Sequence, residues 1–173
     1  MGSETDSAQD RHEQDTIDPG DFRRVLGHLP TGVTVVTAAP DGHPAGMTIG
    51  SFFSVSLDPP LVGFCAGKGS TSWPLIAPAG VFAVNVLGAD QAGVSNHFAS
   101  SAADRFEEVA WRAGVTGSPV LDGVIAHIEC RTDQVVEAGD HWIVVGRVVD
   151  LEVDGGGTPL VFLGGRYGSF EAI

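Results

Sequence analysis

The sequence is poor in positive charge. Its 173 residues include nine Lys or Arg and 22 Asp or Glu, which gives a formal net charge of −13. Lys68 is the only lysine. An excess of negative charge repels nucleic-acid phosphates and anionic lipid surfaces. We therefore expect no nucleic-acid ligand, and an anionic cofactor must be held by a few local cations, hydroxyls and backbone N–H groups.

Cysteines and long apolar runs are also scarce. Cys65 and Cys130 are the only cysteines, and each lies within an apolar run. No apolar stretch typical of a secretory h-region precedes them, and no apolar run approaches the roughly 20 residues that a membrane-spanning helix requires. These absences predict free buried thiols in a cytoplasmic protein that has no membrane anchor.

Several motifs that carry chemistry are missing. The run GFCAGKGSTS at 63–72 looks like a phosphate-binding loop, but only three residues separate Gly63 from Gly67, and Gly69 follows Lys68. A P-loop requires four residues between its two glycines and a Ser or Thr directly after its lysine. Nucleoside triphosphate hydrolysis is therefore excluded, and only an anion-binding turn remains. The sequence also lacks HExxH, CxxC, GxSxG and GxGxxG, which leaves no support for a metal site, a serine hydrolase or a Rossmann fold.

Composition divides the chain into a short tail and one domain. Residues 1–16 are polar, charged and without apolar periodicity, which predicts a disordered N-terminal tail. Residues 17–173 have the length of a single domain. After Pro30 they form short runs rich in Val, Ile, Phe and Thr between turn residues, a texture typical of a small β-barrel or sandwich.

The helix signals are few. Asp18 followed by Pro19 predicts the start of a short amphipathic helix, and residues 90–99 predict another with Asp90 as its cap. The segment STSWPLIAPAG predicts one or two helical turns.

The turn signals predict two hairpins. Asp41-Gly42 joins a predicted strand over 32–38 to a second one over 47–57. Gly139-Asp140 joins two long strands near the C-terminus.

The predicted strand MTIGSFFSVSL at 47–57 has an unusual composition. It contains Thr48, Gly50, Ser51 and further serines where a structural strand favours aliphatic residues. Small side chains leave backbone N–H and C=O groups accessible to a flat partner. The alternative is that these hydroxyls face solvent on a half-exposed strand.

Six segments carry a resemblance to a known family. They are TIGSFFSVSLDPPL, KGSTSW, AVNVLGADQAGVSNHFA, Asp104-Arg105-Phe106, Gly139-Asp140-His141 and GGRYGSF. In this order they resemble the short-chain flavin reductases, the reductase components of two-component flavin-dependent monooxygenases, over about residues 20 to 170. The resemblance implies a mainly β, split β-barrel fold with a few short helices. It also implies a homodimer that binds FMN or FAD in a groove near the dimer interface.

The resemblance implies an activity as well. NADH or NADPH would donate a hydride to the flavin, and the reduced flavin would diffuse to a separate monooxygenase component. Such a site positions two flat rings and needs no strong acid, base or nucleophile. His141 would be the catalytic residue, acting as a hydrogen-bond donor to the nicotinamide or the flavin. The alternative for His141 is a turn histidine that caps a strand end.

The remaining site residues follow from the same resemblance. One segment would run along the flavin ring, the end of the next strand would allow its close approach, and the loop that follows would hold its phosphate. The cofactor-binding residues are Met47, Thr48, Ile49, Gly50, Ser51, Cys65, Ala66, Gly67, Lys68, Ser70, Thr71, Ser72, Phe98, Arg105, His141 and Tyr167. Arg105 would pair with phosphate, or instead form a surface ion pair with Asp104 or Glu107. Tyr167 would form an aromatic wall, or instead a core ring at a strand end.

Two other functions fit the same sequence. One is a flavin-binding electron carrier that retains FMN and does not oxidise NAD(P)H. The other is a split-barrel module that binds a different cofactor, such as haem or a deazaflavin.

Overall fold

A computed structural model describes residues 17–100 and 105–173 of the chain. Three short helices accompany the strands: α1 (Pro19–Leu26), α2 (Trp73–Ile76) and α3 (Ala92–Ala99). Single 3-10 turns lie at Pro40–Gly42 and Ala77–Ala79. The predicted tail at 1–16 lies outside the described residues.

Most of the described chain is β-structure. The strands are β1 (Thr31–Gly32), β2 (Thr34–Ala38), β3 (Ala45–Ile49), β4 (Phe53–Ser56), β5 (Leu61–Gly67), β6 (Val81–Val86), β7 (Trp111–Ala113), β8 (Pro119–Leu121), β9 (Ala126–Ala138), β10 (His141–Glu152), β11 (Leu160–Leu163) and β12 (Arg166–Ser169). Seven of them form one antiparallel sheet in the order β3-β2-β6-β9-β10-β5-β4. A three-stranded sheet, β1-β11-β12, and the pair β7-β8 complete the strands of the described residues.

The large sheet must curl strongly. Its two edge strands, β3 and β4, are consecutive in the chain and separated only by residues 50–52. A flat seven-stranded sheet would hold its edges about 29 Å apart, whereas the chain from 49 to 53 reaches at most about 14 Å. Ser51 in this connection also bonds to the backbone of Cys65 on β5. The mainly β, split-barrel fold with a few short helices is therefore confirmed.

Two apolar clusters hold the fold together. The first fills the inside of the curled sheet, where Phe64 stacks edge-on against Phe82 and Trp73. The second lies outside β2, where Val35 and Leu160 pack with Phe98 of α3. Because β2 has a cluster on each face, all five of its residues are buried.

The local signals for two hairpins and one helix cap are confirmed. β2 and β3 pair through the turn that contains Asp41 and Gly42, and β9 and β10 pair through Gly139-Asp140. Gly139 has a φ of 59°, a left-handed conformation that glycine adopts without strain. The carboxylate of Asp18 accepts the N–H groups of the first turn of α1 at 2.8 and 3.0 Å.

Two sequence predictions are wrong. The single strand at 47–57 is two strands, because the chain bends after Ile49 and crosses to the opposite edge of the sheet. Asp90 does not cap α3, which begins after Gln91 without a side-chain cap. The Gln91 side chain instead accepts the N–H of Gly88 at 2.9 Å.

No helix in the described part of the chain is long and apolar enough to cross a membrane.

Candidate functional site

Two cavities open beside the C-terminal end of β5. The first, which we call the anion pocket, has a volume of about 350 Å³. It is lined by Met47, Thr48, Gly69, Ser70, Thr71, Ser72, Phe98, Ala99, Ser100 and Arg105. The second, which we call the helix groove, has a volume of about 810 Å³. It is lined by Ile17, Pro19, Phe22, Arg23, Leu26, Cys65, Ala138, Asp140, His141 and Ile143.

The loop after β5 forms one wall of the anion pocket and is fixed by its own hydrogen bonds. Ser70 donates its N–H to the carbonyl of Gly67, and its hydroxyl accepts the N–H groups of Ser72 and Trp73, each at 3.2 Å. Within residues 17–100 and 105–173, the N–H groups of Gly69 and Thr71 have no partner. These two donors are therefore available to an anion in the pocket.

Arg105 supplies the positive charge of the anion pocket. Its guanidinium donates to the carbonyls of Ser100 and Gly46, and also to the hydroxyl of Ser72. The side chain is half-buried, and these bonds fix its orientation. An oriented guanidinium beside free N–H groups is suited to a phosphate group. Asp104, the alternative partner considered from the sequence, lies outside the described residues.

Lys68 lies next to the anion pocket but is turned away from it. Its ammonium forms an ion pair with Glu137 on β9 and lies 5.2 Å from the centre of the Trp142 ring. Its backbone N–H is bound to the carbonyl of Asp140. The predicted phosphate-binding segment thus contributes its loop residues to the pocket, while the lysine side chain does not line it.

In the predicted flavin-facing segment at 47–51, some residues line the anion pocket and others hold the backbone or lie in the core. Met47 and Thr48 line the anion pocket. Thr48 donates its hydroxyl to the carbonyl of Ser95 at 2.7 Å, and the Ser51 hydroxyl bonds to both backbone groups of Cys65. Ile49 is buried in the first apolar cluster, and Gly50 is exposed beside Thr31. These hydroxyls therefore hold the backbone in place.

His141 begins β10 and pairs in register with Gly67 at the end of β5. Its Nδ1 lies 2.7 Å from a carboxylate oxygen of Asp140. The hydrogen bond and charge of His141 lower the pKa of Asp140. Because that carboxylate accepts the Nδ1 proton, the imidazole is oriented and Nε2 is left to face the groove side of Gly67.

Cys65 and Cys130 are both free thiols, as predicted, but differ in environment. Cys65 is half-buried and lines the helix groove. Cys130 lies in the first apolar cluster, where burial and the neighbouring Glu129 raise the pKa of its thiol to about 12. Ala66, also predicted to contact the flavin, points into the same apolar cluster and is fully buried.

Of the two predicted aromatic residues, Phe98 lies on α3 and Tyr167 lies on β12 and contacts α3. Phe98 lines the anion pocket and packs edge-on against Phe106, with ring centres 5.1 Å apart. The Tyr167 hydroxyl bonds to Ser95 at 2.8 Å and to Asn96 at 3.0 Å. Tyr167 therefore ties β12 to α3 and lines neither of the two cavities.

A cluster of titratable groups also lies away from these cavities. His127, Glu129 and Asp150 could each turn one ligand atom toward a common point. Glu129 instead accepts the N–H groups of Val115 and Thr116 at 2.8 and 2.7 Å, and His127 bonds to Asp154 at 2.5 Å. These bonds satisfy Glu129 and His127 without a metal ion.

Sequence reasoning missed several residues of the site. Ala99 and Ser100 line the anion pocket, and α1 contributes one wall of the helix groove. The amphipathic pattern of α1 is visible in the sequence, but its position over β5 and β10 depends on the whole fold.

The known proteins that this chain resembles are flavin reductases or reductase subunits of flavin-dependent monooxygenases. Residues 26–171 match the family described as flavin reductase like domain. A flavin reductase of Pseudomonas putida is 52% identical, over 91% of this chain and 93% of its own. The reductase subunit of a flavin-dependent monooxygenase from Rhodococcus jostii is 43% identical, over 91% and 80%. An NADH-dependent FMN reductase of Agrobacterium fabrum is 44% identical, over 87% and 85%.

Solved structures agree with these relatives. An NADH:FAD oxidoreductase of Streptomyces globisporus, solved with NAD and FAD fragments, superposes with a TM-score of 0.84. It is 42% identical, and the match covers 90% of this chain and 96% of that one.

Proposed function

The chain belongs to the flavin reductase like domain family, and we infer that it is an NADH-dependent flavin reductase. Its substrates are NADH and FMN or FAD. A hydride passes from the dihydronicotinamide to the flavin and, with one proton from solvent, leaves NAD⁺ and reduced flavin. The observation that carries this inference is the presence of a cation-lined pocket, formed by the loop after β5, and a His141-lined groove that includes Cys65 of β5.

The anion pocket suits the phosphate end of a flavin. Arg105 provides charge, and the N–H groups of Gly69 and Thr71 provide unpaired donors. In a chain with a net charge of −13, an anion is bound only where such groups converge. Phe98 and Met47 add apolar walls, which favours a ligand with a hydrophobic body attached to the phosphate.

The rest of the site positions the rings. Gly67 and Cys65 at the end of β5 leave room for close approach, because neither has a bulky side chain. His141, oriented by Asp140, supplies a hydrogen bond to the nicotinamide or the flavin. We assign no acid or base in the chemical step, because hydride transfer is promoted mainly by orientation of the two rings.

Reduced flavin is expected to serve a second protein. The named relatives that are reductase subunits of monooxygenases support a separate flavin-dependent monooxygenase as the consumer. The site is open on the protein surface, which allows the flavin to enter and leave as a substrate.

We also propose that the active form is a homodimer. Apolar side chains are exposed on β4, β9 and β10, including Val55, Val136 and Leu151 at 45%, 47% and 64% exposure. A second copy of the chain packed on these strands would cover such exposed apolar side chains. Light scattering coupled to gel filtration would test this proposal, and a monomer at all micromolar concentrations would contradict it.

The activity has a direct test. The purified protein is mixed anaerobically with NADH and FMN, FAD or riboflavin, and the visible flavin band is followed. Bleaching with turnover is expected for at least one flavin. A protein that retains flavin through gel filtration and does not oxidise NADH would instead be an electron carrier. A protein that binds no flavin would refute both functions.

A further inference from the structure

The Arg23 side chain has no hydrogen-bond or ion-pair partner among the described residues. Among the basic residues of the described chain, Arg24, Lys68, Arg112 and Arg147 form ion pairs with carboxylates, and Arg105 is bound by carbonyls and a hydroxyl. The side chains of Arg23, Arg131 and Arg166 have no hydrogen bond or ion pair within residues 17–100 and 105–173. Of these three, only Arg23 lines the helix groove or the anion pocket.

The helix groove has two different walls. One wall is formed by β5 and β10 and carries Cys65, His141 and Ile143. The other is α1, which contributes Phe22, Arg23 and Leu26. The volume of about 810 Å³ is within the range of small-molecule and cofactor sites.

The apolar side of α1 is not used by the fold. Phe22 and Leu26 remain 53% and 50% exposed, and no residue of α1 is buried. The end of the helix is joined to the turn between β11 and β12 through the carbonyl of Gly27. A flat ligand that entered the groove would cover these side chains, which residues 17–100 and 105–173 leave exposed.

We propose that Arg23 binds the diphosphate of the nicotinamide dinucleotide. The nicotinamide end of the ligand is then directed to His141, and Phe22 and Leu26 pack against the apolar surface of the ligand. This inference rests on the proposed function. It assigns the dinucleotide to the helix groove and the flavin phosphate to the anion pocket, so each anionic group meets one separate arginine. Lys68 is paired with Glu137 and lines neither cavity.

The test compares two hydride donors. NADH carries the diphosphate, whereas 1-benzyl-1,4-dihydronicotinamide contains the same reacting ring without phosphate. The variants are Arg23→Ala and, as a matched control, Arg24→Ala. Arg24 is the next residue in the chain, and its substitution by Ala removes the same charge. Its side chain is paired with Asp21 and does not line the helix groove.

We expect Arg23→Ala to raise KM for NADH about tenfold, the effect of losing one charge-assisted contact. Its kcat, its KM for the flavin and its rate with the phosphate-free donor should match those of wild type. Arg24→Ala should match wild type with both donors.

Three results would overturn the inference. One is a KM for NADH in Arg23→Ala that equals that of Arg24→Ala. Another is an equal loss of activity of Arg23→Ala with both hydride donors, which would indicate that the substitution displaces α1. The third is a change in subunit association, measured by sedimentation, which would show that a second copy of the chain covers the groove. Wild-type protein that is inactive with both donors would refute the proposed function itself, and this inference with it.

Discussion

Nδ1 of His141 lies 2.7 Å from the Asp140 carboxylate, while Nε2 lies 3.6 Å from the position that a Cβ on Gly67 would occupy. The first contact orients the ring, and the second places the free nitrogen of the ring beside the end of β5. The sequence motif Gly139-Asp140-His141 thus combines a turn, an orienting carboxylate and a directed imidazole.

Removal of this imidazole should slow the reaction. We expect His141→Ala to lower kcat/KM for NADH by roughly 10- to 100-fold, because it removes a hydrogen bond that is made to the reacting rings. Asp140→Ala should cause a smaller loss, because the ring remains but is no longer oriented. Stopped-flow measurement of flavin bleaching would give both values. An unchanged kcat/KM in His141→Ala would contradict the assignment.

Local signals in the sequence predicted much of the fold. The turns at Asp41-Gly42 and Gly139-Asp140 and the cap at Asp18 depend on neighbouring residues only, so they could be read directly. The break between β3 and β4 could not, because it results from closure of a seven-stranded sheet. The sequence makes 47–57 look continuous, whereas the two halves lie on opposite edges.

The choice of cation in the site illustrates the same limit. Lys68 stands in a glycine-rich loop and looked like the phosphate ligand. Its actual partner, Glu137, is 69 residues away in the chain and adjacent only through β9 and β10. Arg105 becomes the pocket cation because it is bound by Gly46 and Ser72, which are 59 and 33 residues away in the chain.

Substitution of these two cations should separate their roles. We expect Arg105→Ala to weaken FMN binding by roughly 10- to 100-fold, because a charge-assisted contact with the phosphate is lost. Binding of riboflavin, which has no phosphate, should change little. Lys68→Ala should leave the affinity for both flavins within about threefold, the scale of an exposed ion pair. Fluorescence titration of the four combinations would measure this, and a larger effect of Lys68→Ala would reverse the assignment.

The two cysteines should differ in reactivity. Cys65 lines the helix groove, whereas Cys130 is fully buried. We expect a disulfide reagent to modify one thiol rapidly in the native protein and the second only after unfolding. Addition of NAD⁺ should slow the rapid reaction, because the groove is then occupied. Cys65→Ala is the control and should abolish the rapid phase. Equal labelling rates with and without NAD⁺ would place the dinucleotide elsewhere.

Cys130 should make stability depend on alkaline pH. Burial raises the pKa of this thiol from 9.0 to about 12, so the unfolded chain releases a proton above pH 9 that the folded chain retains. Unfolding is therefore favoured as pH rises between these values, by at most about 1.4 kcal/mol for each pH unit.

Urea unfolding at a series of pH values below and above 9 would measure this slope. Cys130→Ala should be less stable below pH 9 because it leaves a small cavity, but its stability should fall less steeply above pH 9. Parallel pH profiles of the two proteins would disprove the prediction.

The anion pocket also depends on Gly46, which does not itself line the pocket. A Cβ on Gly46 would lie 2.7 Å from the ring of Phe98, which is 1% exposed and lines the pocket. Gly46→Ala must therefore displace either β3 or α3. Overpacking of this kind typically costs about 1–3 kcal/mol of folding free energy.

We expect Gly46→Ala to weaken FMN binding as well, because the displaced ring changes the pocket wall and the Gly46 carbonyl also orients Arg105. Gly155→Ala is the matched control, since its Cβ would meet nothing within 4 Å. Adding Phe98→Leu to Gly46→Ala should recover part of the stability, because the smaller side chain leaves space for the new methyl group. If Phe98→Leu instead adds its full cost to that of Gly46→Ala in urea unfolding, the contact between α3 and β3 is not what requires the glycine.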